Sequence, residues 1–106
     1  MDFLSRKEEL ILLAIWKLGD NAYGITVRDA LVKNTGIKWL FGSIYTPLTK
    51  LFDKGLITKS DGQTALEQEG RPRVYFKLTP KGKKALAKIK ELNAALWADA
   101  PILTIK

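Results

Sequence analysis

The hydroxyl, phenol and ammonium groups between residues 42 and 57 are the side chains of this sequence best arranged to bind a polar ligand. At about 100° per residue, Ile44, Leu48 and Leu51 share one face of a helix. Thr46, Thr49, Lys50 and Asp53 fall on the far side, and Ser43 and Tyr45 are further polar side chains near the start of the stretch. A helix with an apolar back and such a front can enter the major groove of DNA and hydrogen-bond to base edges. An ordinary amphipathic surface helix has the same periodicity, so this stretch alone leaves both interpretations open.

The chain contains few side chains suited to catalysis or metal binding. Its 106 residues include no histidine and no cysteine, which removes the usual general base, thiol nucleophiles and Cys/His zinc sites. The eleven acidic residues are scattered singly or lie on apparent surface helices. We therefore predict no catalytic residue, no metal site and no cofactor.

The net charge of +7 is unevenly distributed along the chain. Residues 41–106 hold twelve basic and six acidic residues, whereas residues 1–40 hold six and five. An excess that follows the candidate reading helix favours a polyanionic partner, either nucleic acid or an anionic membrane surface. The chain has no signal-peptide pattern and no apolar run near the roughly 18 residues of a membrane span, so we expect a cytoplasmic protein.

The first helix is predicted by a capping box, Ser5 followed by Glu8, and should end before Gly19. Its centre, residues 10–16, is apolar on every side. A helix in a chain this small cannot be buried all round by its own domain, so one side should face a second copy of the chain. Cover by the C-terminal helix of the same chain is the alternative. Leu12 and Trp16 are the candidate partner-facing residues.

A second helix is predicted over residues 23–33, and the third begins near Gly42 and ends at Gly55. If Ser43 caps the third helix, Pro47 lies just beyond the first turn. Proline is tolerated in the first turn of a helix but not further inside it. We therefore expect this helix to begin a residue or two later, or to have an irregular first turn.

The period then changes to that of strands at residues 56–59 and 73–78, which are joined by a long hairpin over residues 60–72. The tip of this hairpin is acidic, while Arg71 and Arg73 lie at its base. Arginines there can pair with phosphates or enter a minor groove.

The last helix should begin at Thr79-Pro80 and continue to about Ala98. Its apolar side chains recur at spacings of three, three and four residues, which suits a helix–helix dimer contact. They are Leu86, Ile89, Leu92 and Leu96. Trp97 either stacks with a planar ligand at the dimer centre or is a core or interface residue.

The order helix, helix, helix, strand, hairpin, strand, helix is that of a winged helix, an α+β fold that is mainly α. We predict a winged helix-turn-helix over residues 1–79 and a C-terminal dimerisation helix with its tail over residues 80–106, together one compact unit. Three motifs also resemble those of PadR-like transcriptional regulators. They are Tyr23-Gly24-Ile25, Gly42-Ser43-Ile44-Tyr45 with Lys54-Gly55-Leu56-Ile57 after it, and the run from Gly70 to Gly82.

The resemblance, to the branch with a single C-terminal helix, implies a homodimeric DNA-binding repressor, with the first and last helices forming the dimer. The residues assigned to DNA contact are Tyr23, Ser43, Tyr45, Thr46, Thr49, Lys50, Arg71 and Arg73. The residues assigned to the dimer are Leu12, Trp16, Leu86, Ile89, Leu92 and Leu96. Many members of such families respond to small aromatic ligands, for which Trp97 is the candidate contact. The competing interpretation is a winged-helix protein–protein adaptor that does not bind DNA specifically.

Overall fold

The structure, a computed structural model, describes residues 3–62 and 73–104. Within those residues the chain forms four α-helices and a two-stranded antiparallel sheet, in the predicted order and mainly helical. The helices are α1 (Arg6–Leu18), α2 (Gly24–Thr35), α3 (Phe41–Asp53) and α4 (Pro80–Trp97), and the strands are β1 (Ile57–Gly62) and β2 (Arg73–Leu78). A single 3₁₀ turn, Gly19–Asn21, links α1 to α2.

Local capping chemistry determines where α1 and α4 begin. The Ser5 hydroxyl accepts a hydrogen bond from the Glu8 N–H at 3.2 Å, and the Glu8 carboxylate accepts one from the Ser5 N–H at 2.8 Å. At α4, the Thr79 hydroxyl accepts from the Gly82 N–H at 3.0 Å, and Pro80 occupies the first helical position. Both predicted helix starts are therefore confirmed, as is the end of α1 at Gly19.

The predicted beginning of α3 is wrong. The helix starts earlier, at Phe41, with Leu40 in the capping position and no side-chain cap. Ser43 does not cap the helix, because its hydroxyl donates to the Leu40 carbonyl at 2.7 Å. Pro47 lies inside the helix with its ring buried against the core. Because proline has no N–H, the helix lacks one backbone hydrogen bond at this position.

The end of α3 agrees with the sequence. Gly55 has a φ of +76°, a left-handed conformation that costs glycine little. The Leu56 N–H donates to the Leu51 carbonyl at 3.0 Å and the Gly55 N–H to the Phe52 carbonyl at 2.9 Å, the paired bonds of a Schellman ending. Because of this tight reversal, β1 begins shortly after the end of α3.

The sheet runs in antiparallel register from Ile57 opposite Leu78 to Gly62 opposite Arg73. Phe76 and Leu78 are buried, whereas Val74 is exposed, so the apolar face of β2 continues only over its second half. The turn of the hairpin, with Arg71, lies outside the described residues.

The core gathers around α1, whose Ile11, Leu12 and Ile15 are fully buried against α2, α3 and the strands. The assignment of Leu12 to a partner-facing surface is therefore corrected, since none of this side chain is exposed. The exposed leucine of α1 is its neighbour Leu13, and Trp16 is exposed as well. Helix α4 covers one part of α1 and leaves these two side chains uncovered within the described chain.

A buried ion pair ties the start of α1 to the end of α3. The Lys54 Nζ donates to the Glu8 carboxylate at 2.8 Å, and Glu8 is buried while Lys54 is partly exposed. Burial alone raises the pKa of Glu8, but hydrogen bonds from Lys54 and Ser5, together with the lysine charge, outweigh it and hold this pKa below its ordinary value. The carboxylate therefore stabilises the folded chain in its charged form.

Replacing Glu8 with glutamine is expected to lower the free energy of unfolding by about 1.5–3 kcal/mol, the range for hydrogen bonds to charged groups. Because the folded pKa lies below the unfolded one, the contribution is complete above the ordinary glutamate range and is lost as the pH falls through the folded pKa. Urea denaturation of both proteins from pH 7 to pH 3 measures it. Glu9→Gln is the matched control, because Glu9 pairs at 3.3 Å with the exposed Arg6 and should change stability by about 0.5 kcal/mol or less. Equal losses from the two variants would show that the Lys54 bond contributes nothing.

Candidate nucleic-acid interface

The front of α3 is a polar surface supported by an apolar back. Ile44, Leu48 and Leu51 are buried, while the opposite side chains are open to solvent. The exposed front consists of Tyr45, Thr46, Thr49, Lys50 and Asp53, with Tyr45 66% exposed. Hydroxyls can donate and accept hydrogen bonds and an ammonium group can donate them, which are the functions needed at base edges and phosphates.

Ser43 differs from the other residues of this front. It is half-buried, and its hydroxyl proton is used in the bond to the Leu40 carbonyl. Its oxygen keeps lone pairs that can accept a hydrogen bond. Ser43 is therefore better placed to orient the beginning of α3 than to donate to a ligand.

The base of the hairpin is held against the start of α2 by aromatic stacking. The rings of Tyr23 and Tyr75 meet edge to face with centroids 5.3 Å apart, and the Arg73 guanidinium lies 4.7 Å from the centroid of the Tyr23 ring. The Phe76 N–H also donates to the Ala22 carbonyl at 2.8 Å. Tyr23 thus positions Arg73, a role that its sequence assignment to DNA contact did not include.

Lysines from two helices border one hollow beside the front of α3. Lys7, in the first turn of α1, and Lys50 border one hollow of about 300 Å³, together with Ser43 and Thr46. Lys7 could not be recognised from the sequence, because 43 positions separate it from Lys50 and no local pattern joins them. Two ammonium groups next to a polar helix face add positive charge where a phosphate backbone would pass.

A second hollow, about 470 Å³ in volume, lies between α2, α3 and β2 and is mainly apolar. Ile25, Phe41, Tyr45 and Val74 line it, and all four are exposed. Apolar side chains beside a reading helix can contact thymine methyl groups. Sequence periodicity could not find this hollow, because its walls come from three elements.

The connection into α3 is fixed by Arg28. Its Nε donates to the Trp39 carbonyl at 3.1 Å, and its guanidinium lies 5.0 Å from the centroid of the Phe41 ring. Trp39 is buried, and its indole N–H donates to the Thr35 hydroxyl at 3.1 Å. These contacts hold α2 and α3 in one geometry, as a two-helix reading unit requires.

Apart from the buried Leu12, the side chains assigned to the dimer form a partly exposed strip along α1 and α4. Leu86 and Ile89 are half-buried, whereas Leu92 and Leu96 are exposed, as is Trp97. An apolar groove of about 700 Å³ runs between the two helices, with Trp16 and Leu13 on its wall. The Lys83 Nζ lies 5.6 Å from the centroid of a Trp16 ring.

Metal-ligand clusters and membrane spans are both absent from the described residues. No group of three His, Cys, Asp or Glu side chains there could hold a metal ion. None of the helices found in residues 3–62 and 73–104 combines the length and the apolar composition of a membrane span.

The arrangement matches one protein family. The model of the transcriptional regulator PadR-like family matches residues 12–88, which is most of the chain. The chain belongs to the PadR-like family. Its members are transcription regulators that bind DNA and not enzymes, so DNA-binding transcription regulation is the function of this chain.

Solved structures show the same fold. A PadR-like transcription factor from Bacteroides fragilis is 29% identical, with a TM-score of 0.66 over 90% of this chain and 93% of the other. A PadR family transcription regulator from Clostridium difficile R20291 is 24% identical, with a TM-score of 0.69 over 89% and 92%. RosR of H. salinarum is 23% identical, with a TM-score of 0.72 over 92% and 81%. No curated protein sequence matches the chain significantly.

These likenesses confirm the winged-helix fold class and the family that the sequence motifs indicated. The last two structures, below 25% identity, bear on the fold alone. The roles of individual PadR-like residues in DNA contact and dimerisation therefore stay predictions, which the geometry of this chain supports to different degrees.

Proposed function

We propose that this PadR-like chain is a repressor that acts as a homodimer on an inverted-repeat operator and is released by a small aromatic ligand. The observation that carries the proposal is the front of α3, which is exposed and polar and is held from behind by a buried apolar face. A helix of that kind, at the surface of a winged helix with an excess of basic residues, is suited to the major groove.

Base reading is assigned to Tyr45, Thr46 and Thr49, which face away from the core. Backbone contact is assigned to Lys50 and Lys7 beside the same face, and to Arg73 at the base of the hairpin. Contacts to phosphates fix the position of a protein on DNA but carry no direct sequence information. The proposal thus separates residues that discriminate among sequences from residues that bind any duplex.

The homodimer is assigned to the uncovered apolar side chains of α1 and α4. Leu13, Trp16 and Leu96 are exposed in the single chain, and Leu13 and Trp16 border the apolar groove between α1 and α4. Uncovered apolar surface of this kind marks a site of protein contact. A twofold dimer brings two α3 helices to one side of the duplex, where they can meet successive major grooves about 34 Å apart.

The effector is assigned to the same surface. Trp97 and Trp16 are both exposed, and the groove beside Trp16 has a volume suited to a small planar molecule. A ligand stacked there would contact the helices that join the two copies, so its binding would be coupled to the spacing of the α3 helices.

Alanine substitutions separate the two kinds of DNA contact. We expect Arg73→Ala to weaken binding to every duplex and to flatten the dependence of affinity on salt concentration, because one phosphate contact is lost. We expect Thr49→Ala to lower mainly the preference for the operator, by about 1–3 kcal/mol if one base contact is lost. Fluorescence anisotropy with the most strongly retained duplex from a random pool and an unrelated duplex of equal length measures both.

The outcome also decides between the proposal and its alternative, a winged-helix adaptor for proteins. If the two variants show the same uniform loss, the division into base reading and phosphate binding is wrong. Binding of the unsubstituted chain that is weak, insensitive to salt and equal for both duplexes would favour the adaptor. The charge of +6 over residues 41–106 argues against that function.

A further inference from the structure

The segment after α4 is an apolar tail that the other described residues do not cover. Asp99 adopts a left-handed conformation, with a φ of 62°, just after the end of α4, and residues 100–104 are exposed. Ile102 is 94% exposed and Leu103 is 69% exposed. Two adjacent aliphatic side chains with this much exposure form an apolar surface that would be stabilised by burial against another surface.

A groove of about 330 Å³ runs along α4 from Lys81 to Asn93, bounded by the chain at the start of α1 and by the turn that joins α3 to β1. Leu56, Ala85 and Ile89 form part of its apolar floor. The charged residues that line it are one acid, Glu9, and four exposed lysines, Lys54, Lys81, Lys84 and Lys88. The groove therefore combines an apolar floor with positive charge at the edge, which suits an apolar segment that carries an acidic residue.

The charge pattern of α4 favours an antiparallel partner. The first half of the helix carries Lys81, Lys83, Lys84, Lys88 and Lys90. Beyond Lys90, Glu91 and Asp99 are the charged residues up to Thr104. A parallel pair would place the two lysine-rich halves side by side, whereas an antiparallel pair places each opposite the partner's acidic half.

The reach of the tail also selects the second copy. From Ala85 to Trp97 the helix rises about 18 Å, so a chain's own tail would have to reverse at Ala98 and run back that far. The observed tail does not turn back, since Ile102 is almost fully exposed. If two antiparallel α4 helices cross near Leu92 and Leu96, the tail of the partner continues toward the groove without reversing. Its five or six extended residues span roughly 17–20 Å, which is enough to reach the groove.

We propose that residues 99–104 of one copy dock into the groove between α4, the beginning of α1 and the turn that joins α3 to β1 of a second copy. Ile102 and Leu103 fill the apolar floor, and Asp99 lies near Lys84 and Lys88. By symmetry each dimer contains two such contacts. The inference rests on the proposed homodimer and adds to it an exchanged segment that joins the two copies.

The first test is the dimer dissociation constant of the full chain and of its Ile102→Ser/Leu103→Ser variant, measured by analytical ultracentrifugation. The substituted side chains are exposed in the single chain, so its folding should not change. Loss of two apolar side chains at each of two contacts should raise the dissociation constant at least about 100-fold. Ile37→Ser, at an exposed position between α2 and α3, should leave it unchanged.

A second test uses the absence of cysteine from the chain. Single variants Leu103→Cys and Ala85→Cys, mixed and oxidised, should form a disulfide-linked pair on a non-reducing gel. Leu103→Cys mixed with Ile37→Cys should not form one. Leu103→Cys alone should link far more slowly, because the two tails lie at opposite ends of the dimer.

The outcomes separate this inference from the dimer on which it rests. An unsubstituted chain that is still monomeric at a concentration of about 10⁻⁴ M would overturn the homodimer and the tail contact together. A dimeric chain whose tail variant dimerises equally well would overturn the tail contact alone. A disulfide closed within one chain, in the protein carrying both cysteines, would instead assign the tail to its own groove and overturn the proposal.

Discussion

Replacing Gly82 with alanine is expected to lower the melting temperature by about 10–20 °C, the shift for a loss of about 3 kcal/mol in a domain of this size. A Cβ on Gly82 would lie well inside van der Waals contact of the Leu56 carbonyl oxygen. That oxygen already accepts the Thr79 N–H at 3.0 Å, and the Thr79 hydroxyl donates to the Gly55 carbonyl at 2.6 Å. Because these hydrogen bonds fix the backbone, it cannot move aside without losing them. The start of α4 would therefore be displaced from its contact with Leu56.

Gly42→Ala is the matched control for this effect. A Cβ on Gly42 would meet nothing within 4 Å, and the residue lies in the first turn of α3. Alanine in a helix is favoured over glycine by roughly 0.5–1 kcal/mol, so this variant should melt at the same or a slightly higher temperature. Thermal melts followed by circular dichroism compare the two. Equal melting temperatures for Gly82→Ala and the unsubstituted chain would mean that α4 does not approach Leu56 as closely as described.

Replacing Leu96 with aspartate is expected to raise the dimer dissociation constant by about 1,000-fold or more. Leu96 is 68% exposed in the single chain, and the proposed dimer buries it twice, once from each copy. Losing about 2 kcal/mol of apolar burial at each contact amounts to about 4 kcal/mol, and a buried carboxylate adds to this cost. Sedimentation equilibrium measures the constant.

Ile37→Asp is the control, because Ile37 is 61% exposed on the connection between α2 and α3, away from α4. It makes the same chemical change at a similar exposure and should stay dimeric. A Leu96→Asp protein that remained dimeric would remove the C-terminal helix from the dimer contact. The exposed Leu13 and Trp16 of α1 would then be the residues to substitute next.

The parts of the fold that sequence predicted best are those determined by neighbouring residues. Ser5 with Glu8 and Thr79 with Gly82 form hydrogen bonds three residues apart, so the composition of one short segment reveals them. The start of α3 carries no such signal, because Leu40 makes no side-chain cap and Ser43 bonds backward to the Leu40 carbonyl. Ser43 before an apolar run is a possible cap by sequence, but in the structure it does not cap the helix.

The candidate site divides in the same way. Periodicity was enough to find the exposed front of α3, since Thr46, Thr49 and Lys50 are defined by the apolar residues opposite them. It could not find the hollow that Lys7 shares with Lys50 or the stacking of Arg73 on Tyr23, because those pairs are brought together only in the folded chain. Leu12 shows the converse limit. In a helix apolar on all sides, sequence does not say which leucine faces inward.

The measurement that tests the central claim most directly is selection of bound DNA from a pool of random duplexes at two salt concentrations, followed by sequencing. We expect enrichment of an inverted repeat whose half-sites lie about one helical turn apart, with retention that falls steeply as salt rises. That result would support a dimer that reads bases with α3 and holds phosphates with its lysines and arginines. Retention of DNA without any enriched sequence, or retention that does not change with salt, would contradict it.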